Sequence, residues 1–394
     1  MSRKGITDRV AVIGMGCTRF AEHWDKSADD LLIEAAYEAF ADAGIEPGDI
    51  DGCWLGTMDS GYSGITLSGP LKTQYIPVTR VENMCATGSE AFRNACYAVA
   101  SGAIDMALAI GVEKLKDSGY SGLALNEPPS DGTKPAITAP AAFSLLAPAY
   151  FEKYGLSPEQ GKEVLARIAW KNHRNGALNG KAQFRSEVPL ASILKSPRVA
   201  EPLGIMDCSG VADGAAAAII VRTEDAHKFR RDPMYVKALT IAAGPGDGLL
   251  RQDFDFTSIR ENVMAARDAY RQAGITDPRK QIHMAEVHDC FTPTELIIYE
   301  DLGFSERGQA WRDVMNGVFD LDGALPVNPD GGLKSFGHPI GASGLRMLYE
   351  MYLQLQGRAD KRQLPNPKIG LTHNLGGYPW QCVSFISIVG KELS

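Results

Sequence analysis

An internal repeat constrains this chain more than any other feature. Residues 35–45 read AAYEAFADAGI and residues 265–275 read AARDAYRQAGI. At a constant offset of 230, Ala35/Ala265, Ala36/Ala266, Ala39/Ala269, Ala43/Ala273, Gly44/Gly274 and Ile45/Ile275 are identical, and Phe40 aligns with Tyr270. The alanines fall on one stripe of a helix, where small side chains let a neighbour approach closely. Gly44 and Gly274 follow each stripe where a left-handed C-cap is expected. A strand is expected after each helix, at 50–57 in one copy and 283–288 in the other.

The order of later segments extends the repeat. Cys85-Ala86-Thr87-Gly88-Ser89 opens a helix to about Ser101, followed by a strand at 106–111. Gly337-His338-Pro339-Ile340-Gly341-Ala342-Ser343-Gly344 opens a helix to about Leu355, followed by a strand at 369–373. Alternating strands and helices imply α/β layering. A duplicated α/β fold places its ligand where strand ends from the halves converge. Residues 119–200, rich in Gly, Pro, Ala and basic residues, read as an insertion with a helix near 158–176. The division expected is 1–118 with 201–230, then 119–200 inserted, then 231–394.

Composition removes several functions. Lys plus Arg is 40 against 48 Asp plus Glu, a net charge of −8 with no basic domain, which argues against nucleic-acid binding. No apolar run approaches the ~20 residues that span a bilayer. The seven cysteines form no CxxC pair, so neither a disulfide framework nor structural zinc is expected, and no other metal. The C-terminal Lys-Glu-Leu-Ser is not a peroxisomal signal. These readings favour a reduced, cytoplasmic enzyme. A P-loop, a complete GxGxxG after a strand and a GxSxG elbow are all absent.

Four places put reactive side chains beside glycine. Cys85 stands at a helix entrance, where free N–H groups and the dipole stabilise a thiolate; an inert buried cysteine is the competing reading. His338 lies in a tight Gly-His-Pro turn and is either structural or catalytic. His288-Asp289-Cys290 follows an apolar strand and either lines a site or is a metal fragment without a second cluster. His373-Asn374-Leu375-Gly376-Gly377 is expected to end its strand, with glycines that let backbone N–H groups face a ligand.

Together NMCATGSEAF, AIGVEKL, EVHDCF, NPDGGLKSFGHPIGASG and HNLGG, in this order, resemble the thiolase superfamily over nearly the whole chain. The similarity is closest to sterol-carrier-protein-type thiolases and archaeal acetoacetyl-CoA thiolases. The resemblance implies two βαβαβαββ halves in a five-layered α-β-α-β-α sandwich with an inserted loop domain. It implies a homodimer or a dimer of dimers, coenzyme A thioesters as substrates and no permanently bound cofactor. In archaeal members it implies a small OB-fold zinc-containing partner protein.

Cys85 matches the family's acyl-accepting nucleophile and His338 the histidine that takes its proton. Asn374 stands where degradative thiolases carry a second cysteine; the sterol-carrier branch carries that cysteine in HDCF, here Cys290. His288 occupies an oxyanion-binding position with His338, and Gly376 pairs with Cys85 in the other oxyanion hole. The implied reaction is ping-pong acyl transfer with Claisen condensation or thiolysis of a 3-ketoacyl-CoA. Tyr378-Pro379-Trp380 departs from the sterol-carrier pattern. The departure either reshapes the acceptor pocket, as for an acetyltransferase acting on a non-CoA carbon nucleophile, or fills the core. A retro-aldol lyase and a non-catalytic scaffold are the remaining alternatives; Cys85 argues against both.

Overall fold

The computed structural model describes residues 5–118 and 138–394. Residues 1–4 of the first half and 119–137 of the expected insertion lie outside the described residues. The first copy of the repeat runs β1 (Val10–Cys17), α1 (Ala28–Ala43), β2 (Gly52–Gly56), β3 (Val78–Val81), α2 (Thr87–Ser101) and β4 (Met106–Glu113). An excursion containing α3 (Pro158–Gly176) precedes the closing strand β5 (Gly214–Arg222). The second copy runs β6 (Met234–Ala243), α4 (Arg260–Ala273), β7 (Met284–Glu286), α5 (Thr292–Asp301), α6 (Gly332–Phe336), α7 (Ile340–Leu355), β8 (Ile369–Tyr378) and β9 (Gln381–Gly390).

The alanine stripe seats α1 and α4 on their sheets. Ala35, Ala36, Ala39 and Ala43 are buried in one helix, Ala265, Ala266 and Ala269 in the other. Ser27 caps α1 by accepting from the Asp30 N–H, and Asp30 returns a bond to the Ser27 amide. Gly44 at φ 70° and Gly274 at φ 67° end the two helices in the left-handed conformation that a side chain opposes.

The strands follow the order β3-β2-β4-β5-β1-β6-β9-β8-β7. Outward from the β1/β6 junction, both halves have the same neighbours in the same sense: antiparallel, antiparallel, then parallel. The halves join through the short antiparallel match of Ala11 with Tyr235 and Val12 with Met234. The counterpart of β3 in the second half is reduced to Val327, a parallel bridge to Ala285. Pro326 before it has no N–H, and Asn328 after it turns away at φ 55°.

Helix α1 covers the outer face of the first half and α4 that of the second, while α2 and α7 pack on each other between the halves. This is the five-layered α-β-α-β-α sandwich. β1 and β4 are buried along their whole length, as a middle layer requires. Among the described residues no helix is long and apolar enough to cross a membrane.

Two strand expectations need correction. β7 stops at Glu286, so His288 and Asp289 lie beyond the strand; the Val287 N–H leaves the ladder to donate to Asn328 Oδ1 at 2.8 Å. The HNLGG segment does not follow its strand but lies inside β8, which pairs with β9 from Ile369/Gly390 to Tyr378/Gln381.

Candidate active site

The small residues opening α2 and α7 bring the two helices together. A Cβ on Gly88 would lie 2.6 Å from the Gly341 carbonyl oxygen, and one on Gly344 would lie 2.1 Å from Ser89 Oγ. This contact holds the turn preceding α2 against the turn preceding α7, and those turns carry Cys85 and His338.

Cys85 sits in the turn between β3 and α2, two residues ahead of the helix. Met84 takes φ 50°, and Thr87 pins the turn: its Oγ1 donates to the Met84 carbonyl at 2.6 Å and accepts from the Asn83 N–H at 2.9 Å. Burial pushes the Cys85 thiol up to about 12, with the Glu82 carboxylate adding to the rise. A hydrogen bond from the local backbone works the other way and lowers it, but burial outweighs that and favours the thiol. A base is needed.

His338 has the form of that base. Its amide donates to the Gly210 carbonyl at 2.9 Å. Its Nδ1 lies 2.7 Å from Ser343 Oγ, whose single hydrogen goes to the Pro339 carbonyl at 2.9 Å. Ser343 must therefore accept, Nδ1 carries the proton, and Nε2 keeps its lone pair. That Nε2 is buried without a partner among the described residues. Burial, aided by the Arg346 guanidinium, holds the imidazole neutral, with its pKa lowered to about 3.

His288 lies edge-on to His338, ring centroids 5.5 Å apart at 78°. Its Nδ1 is 3.1 Å from Asn374 Nδ2. Burial first, then His338, His373, Arg346 and Lys334, holds it neutral, far below the usual histidine range. One donor atom each from Cys85, His288 and His338 lies within 4.8 Å of the others. The structure thus unites three of the residues singled out in the sequence.

Cys290 is outside that trio but close to it: its thiol, raised well above 9 mainly by burial, is raised further by Cys85. Its Sγ is 3.8 Å from Thr294 Oγ1. Gly376 packs onto the nucleophile turn, where a Cβ would meet the Asn83 carbonyl oxygen at 2.1 Å and the Ala86 nitrogen at 3.1 Å. Trp380 is buried in the core beneath the β8/β9 hairpin, stacked on Tyr378 at 5.5 Å and edge-on to Phe256. Of the two readings of this segment, core filling describes Trp380.

Several supporting residues were not given roles from sequence. Asp289 accepts from the Leu333 N–H at 2.6 Å, the Lys334 N–H at 3.1 Å and Asn172 Nδ2 at 2.9 Å, capping α6; burial raises its carboxyl to about 6. The buried Lys334 ammonium donates to the Asp207 and Asp289 carbonyls. Arg346, fully buried, pairs with Glu286 at 2.7 Å and with Asp330. Asp289, Glu286, Lys334 and Asp330 stood within the quoted motifs; Asn172 and Arg346 carried no signal.

A cavity of about 750 Å³ opens beside the site. Ser209 and Gly210 line it, and their backbones hold Cys290 and His338: the Ser209 N–H donates to the Cys290 carbonyl at 2.8 Å. Its other walls combine Arg19, Lys116 and Arg185 with apolar Val188, Ile205 and Met206.

Residues 10–224 match the family Thiolase, N-terminal domain, and residues 248–388 match Thiolase C-terminal domain-like. The chain is 39% identical to acetyl-CoA acetyltransferase of Methanothermobacter thermautotrophicus, over 93% of this chain and 96% of that protein. It is 35% identical to sterol carrier protein 2 of Homo sapiens, over 93% of this chain and 70% of that protein. The solved Ltp2-ChsH2(DUF35) aldolase superposes with a TM-score of 0.83 at 25% identity, covering 99% of both chains. With both halves matched in sequence and the same duplicated sheet in three dimensions, the chain belongs to the thiolase family.

Proposed function

We propose that the protein is a CoA-dependent acyltransferase that makes or cleaves a 3-ketoacyl-CoA through an acyl-enzyme on Cys85. The observation that carries this reading is the trio itself: a protonated thiol within 4.8 Å of an imidazole nitrogen on each histidine, with His338 Nε2 unpartnered among the described residues. Acetyl-CoA is the first substrate to test, since two relatives at 39% identity are named acetyl-CoA acetyltransferases. The cavity suits a CoA thioester: cations at Arg19 and Arg185 for phosphates, apolar walls for the pantetheine arm, and in its lining Gly210, whose carbonyl accepts from the His338 amide.

As Cys85 sulfur attacks the thioester carbon, His338 Nε2 takes its proton. The bond to the CoA sulfur breaks and CoA leaves with that proton, so the acyl group stays on Cys85. The N–H groups of Cys85 and Gly376 hold the oxyanion. For the second substrate, Cys290 gives its proton to His338 and the resulting thiolate takes the α-proton. His288, with His338, stabilises the enolate oxygen. The carbanion attacks the acyl carbon, Cys85 sulfur leaves, and His338 returns its proton to it. Atoms and charges balance, and the cycle regenerates both thiols.

This reading uses the division into halves 1–118 with 201–230 and 231–394, around the loop domain 119–200. A homodimer fits the open edge of β3, which pairs only with β2 among the described residues and neighbours fully exposed Tyr62 and Tyr75. The aldolase that superposes on this chain is a complex with a DUF35 protein, which supports the small partner protein implied by resemblance. A cytoplasmic location fits seven unpaired cysteines, two of which, Cys85 and Cys290, must stay reduced to act. The test is intact mass after incubation with acetyl-CoA. An added acetyl group that is absent in Cys85→Ala is expected; an unchanged adduct in that variant, or none in the native enzyme, overturns the reading.

A further inference from the structure

Asn374 stands in the middle of β8, opposite Phe385 of β9, and reaches two side chains from different halves of the molecule. Ser89 Oγ, in the first turn of α2, donates to Asn374 Oδ1 at 2.9 Å. Asn374 Nδ2 is 3.1 Å from His288 Nδ1. All three side chains are buried.

Hydrogen counting then fixes the imidazole. An amide nitrogen only donates, so His288 Nδ1 must accept and its proton must sit on Nε2. The opposite amide orientation would leave the buried Ser89 hydroxyl hydrogen without its acceptor, and would remove an oxygen from the positive end of α2. Ser343 imposes the reverse choice on His338, whose proton sits on Nδ1. The two histidines are kept neutral in the same pocket, yet they present opposite functions: a lone pair on His338 Nε2 and an N–H on His288 Nε2.

We infer that Asn374 is a positioning residue that locks His288 as an oxyanion donor, so that His338 alone is the base of the pair. Without the lock, a neutral imidazole exchanges its proton between nitrogens, and the fraction carrying it on Nδ1 offers the enolate a lone pair instead of a donor. The second cysteine of degradative thiolases is thus replaced here not by a silent residue but by one that sets its neighbour's proton. The inference rests on the acyl-transfer reading for its consequence, but the tautomer can be measured without substrate.

The test has two arms. Long-range ¹H–¹⁵N correlation on the native enzyme labelled at histidine nitrogen, assigned with His288→Gln and His338→Gln, reads which nitrogen is protonated. Expected are a bare Nδ1 on His288 and a bare Nε2 on His338; a protonated Nδ1 on His288 overturns the inference whatever the enzyme's activity. The second arm is Asn374→Asp, which cannot donate and so draws the proton to Nδ1. At ~pH 9, well above the ordinary histidine range, α-hydrogen exchange of the second acyl-CoA should fall ~10²-fold, the scale of one oxyanion donor. Cys85 acylation should stay within about threefold, because its oxyanion hole is backbone N–H. Parallel loss of both half-reactions, or loss of neither, would show a merely structural residue. Failure of native Cys85 to acylate would instead sink the acyl-transfer reading and leave the tautomer result standing.

Discussion

Gly88 and Gly341 meet so closely that a methyl group on the first would sit 2.6 Å from the carbonyl oxygen of the second. The contact joins the openings of α2 and α7, so it sets the distance between Cys85 and His338. A Cβ on Gly341 would itself meet the Val112 and Gly56 carbonyl oxygens at 2.6 and 2.7 Å. These are backbone atoms of two central strands and cannot step aside.

Gly341→Ala is therefore expected to destabilise the protein by about 2–3 kcal/mol, the upper range for overpacking. Alanine's better helix propensity, about 1 kcal/mol, does not offset that. The melting temperature should fall by several degrees, and acylation of Cys85 should slow because the turns separate. A variant as stable and as fast as the native enzyme would show that the close approach is not needed. Calorimetry with a single-turnover acylation assay decides.

The same contact shows what a sequence can and cannot disclose. The alanine stripe and its terminal glycines were legible because helix packing is periodic, and α2, α3 and α7 lie where patterning and turns put them. Cys85, His338, His288 and Cys290 were legible because glycine and proline mark unusual backbone around reactive side chains. The Asn374–Ser89 bond was not, since it joins residues 285 positions apart. Nor were the burial that lifts the Cys85 thiol and the Arg346–Glu286–Asp330 cluster, which exist only once the sheets enclose them. HNLGG reads from sequence as a strand end whose glycines turn backbone N–H groups toward a ligand; in the structure β9 pairs straight through them.

His338 predicts an unusual pH dependence. The reactive form is the neutral imidazole, so protonation removes the base and activity is lost as pH falls through its folded pKa. That pKa is lowered to about 3 by burial and Arg346. The acylation kcat/KM should therefore be flat from ~pH 8 down to ~pH 5, without the limb near 6.5 of an ordinary histidine. A limb near 6.5 that disappears in His338→Ala would place His338 in a more polar setting than its buried turn. In the flat region His338→Ala should acylate ~10²-fold more slowly, the usual contribution of a general base.

Cys290 separates the two half-reactions. Its sulfur feels the charge of Cys85 but lies outside the group formed by Cys85, His288 and His338. Cys85, not Cys290, shares that group with His338, so Cys290 has no part in the first attack. With Asn374 in the place of the usual second cysteine, it is the thiol near Cys85 from which an α-carbon proton acceptor can be made. Cys290→Ala should still load an acyl group on Cys85 at a rate within about threefold of native. It should lose α-hydrogen exchange and condensation by ~10²-fold or more, the scale on which a general base acts. The removed sulfur leaves a small cavity beside Thr294 Oγ1, which lies 3.8 Å from it in the native enzyme, so melting temperature is checked alongside. Deuterium exchange at the acyl α-carbon, measured with the preformed acyl-enzyme, reads the step directly. Native exchange in Cys290→Ala would transfer the proton to another group. His338 would then be first in line, because its unpartnered Nε2 is free again once CoA has left as the thiol.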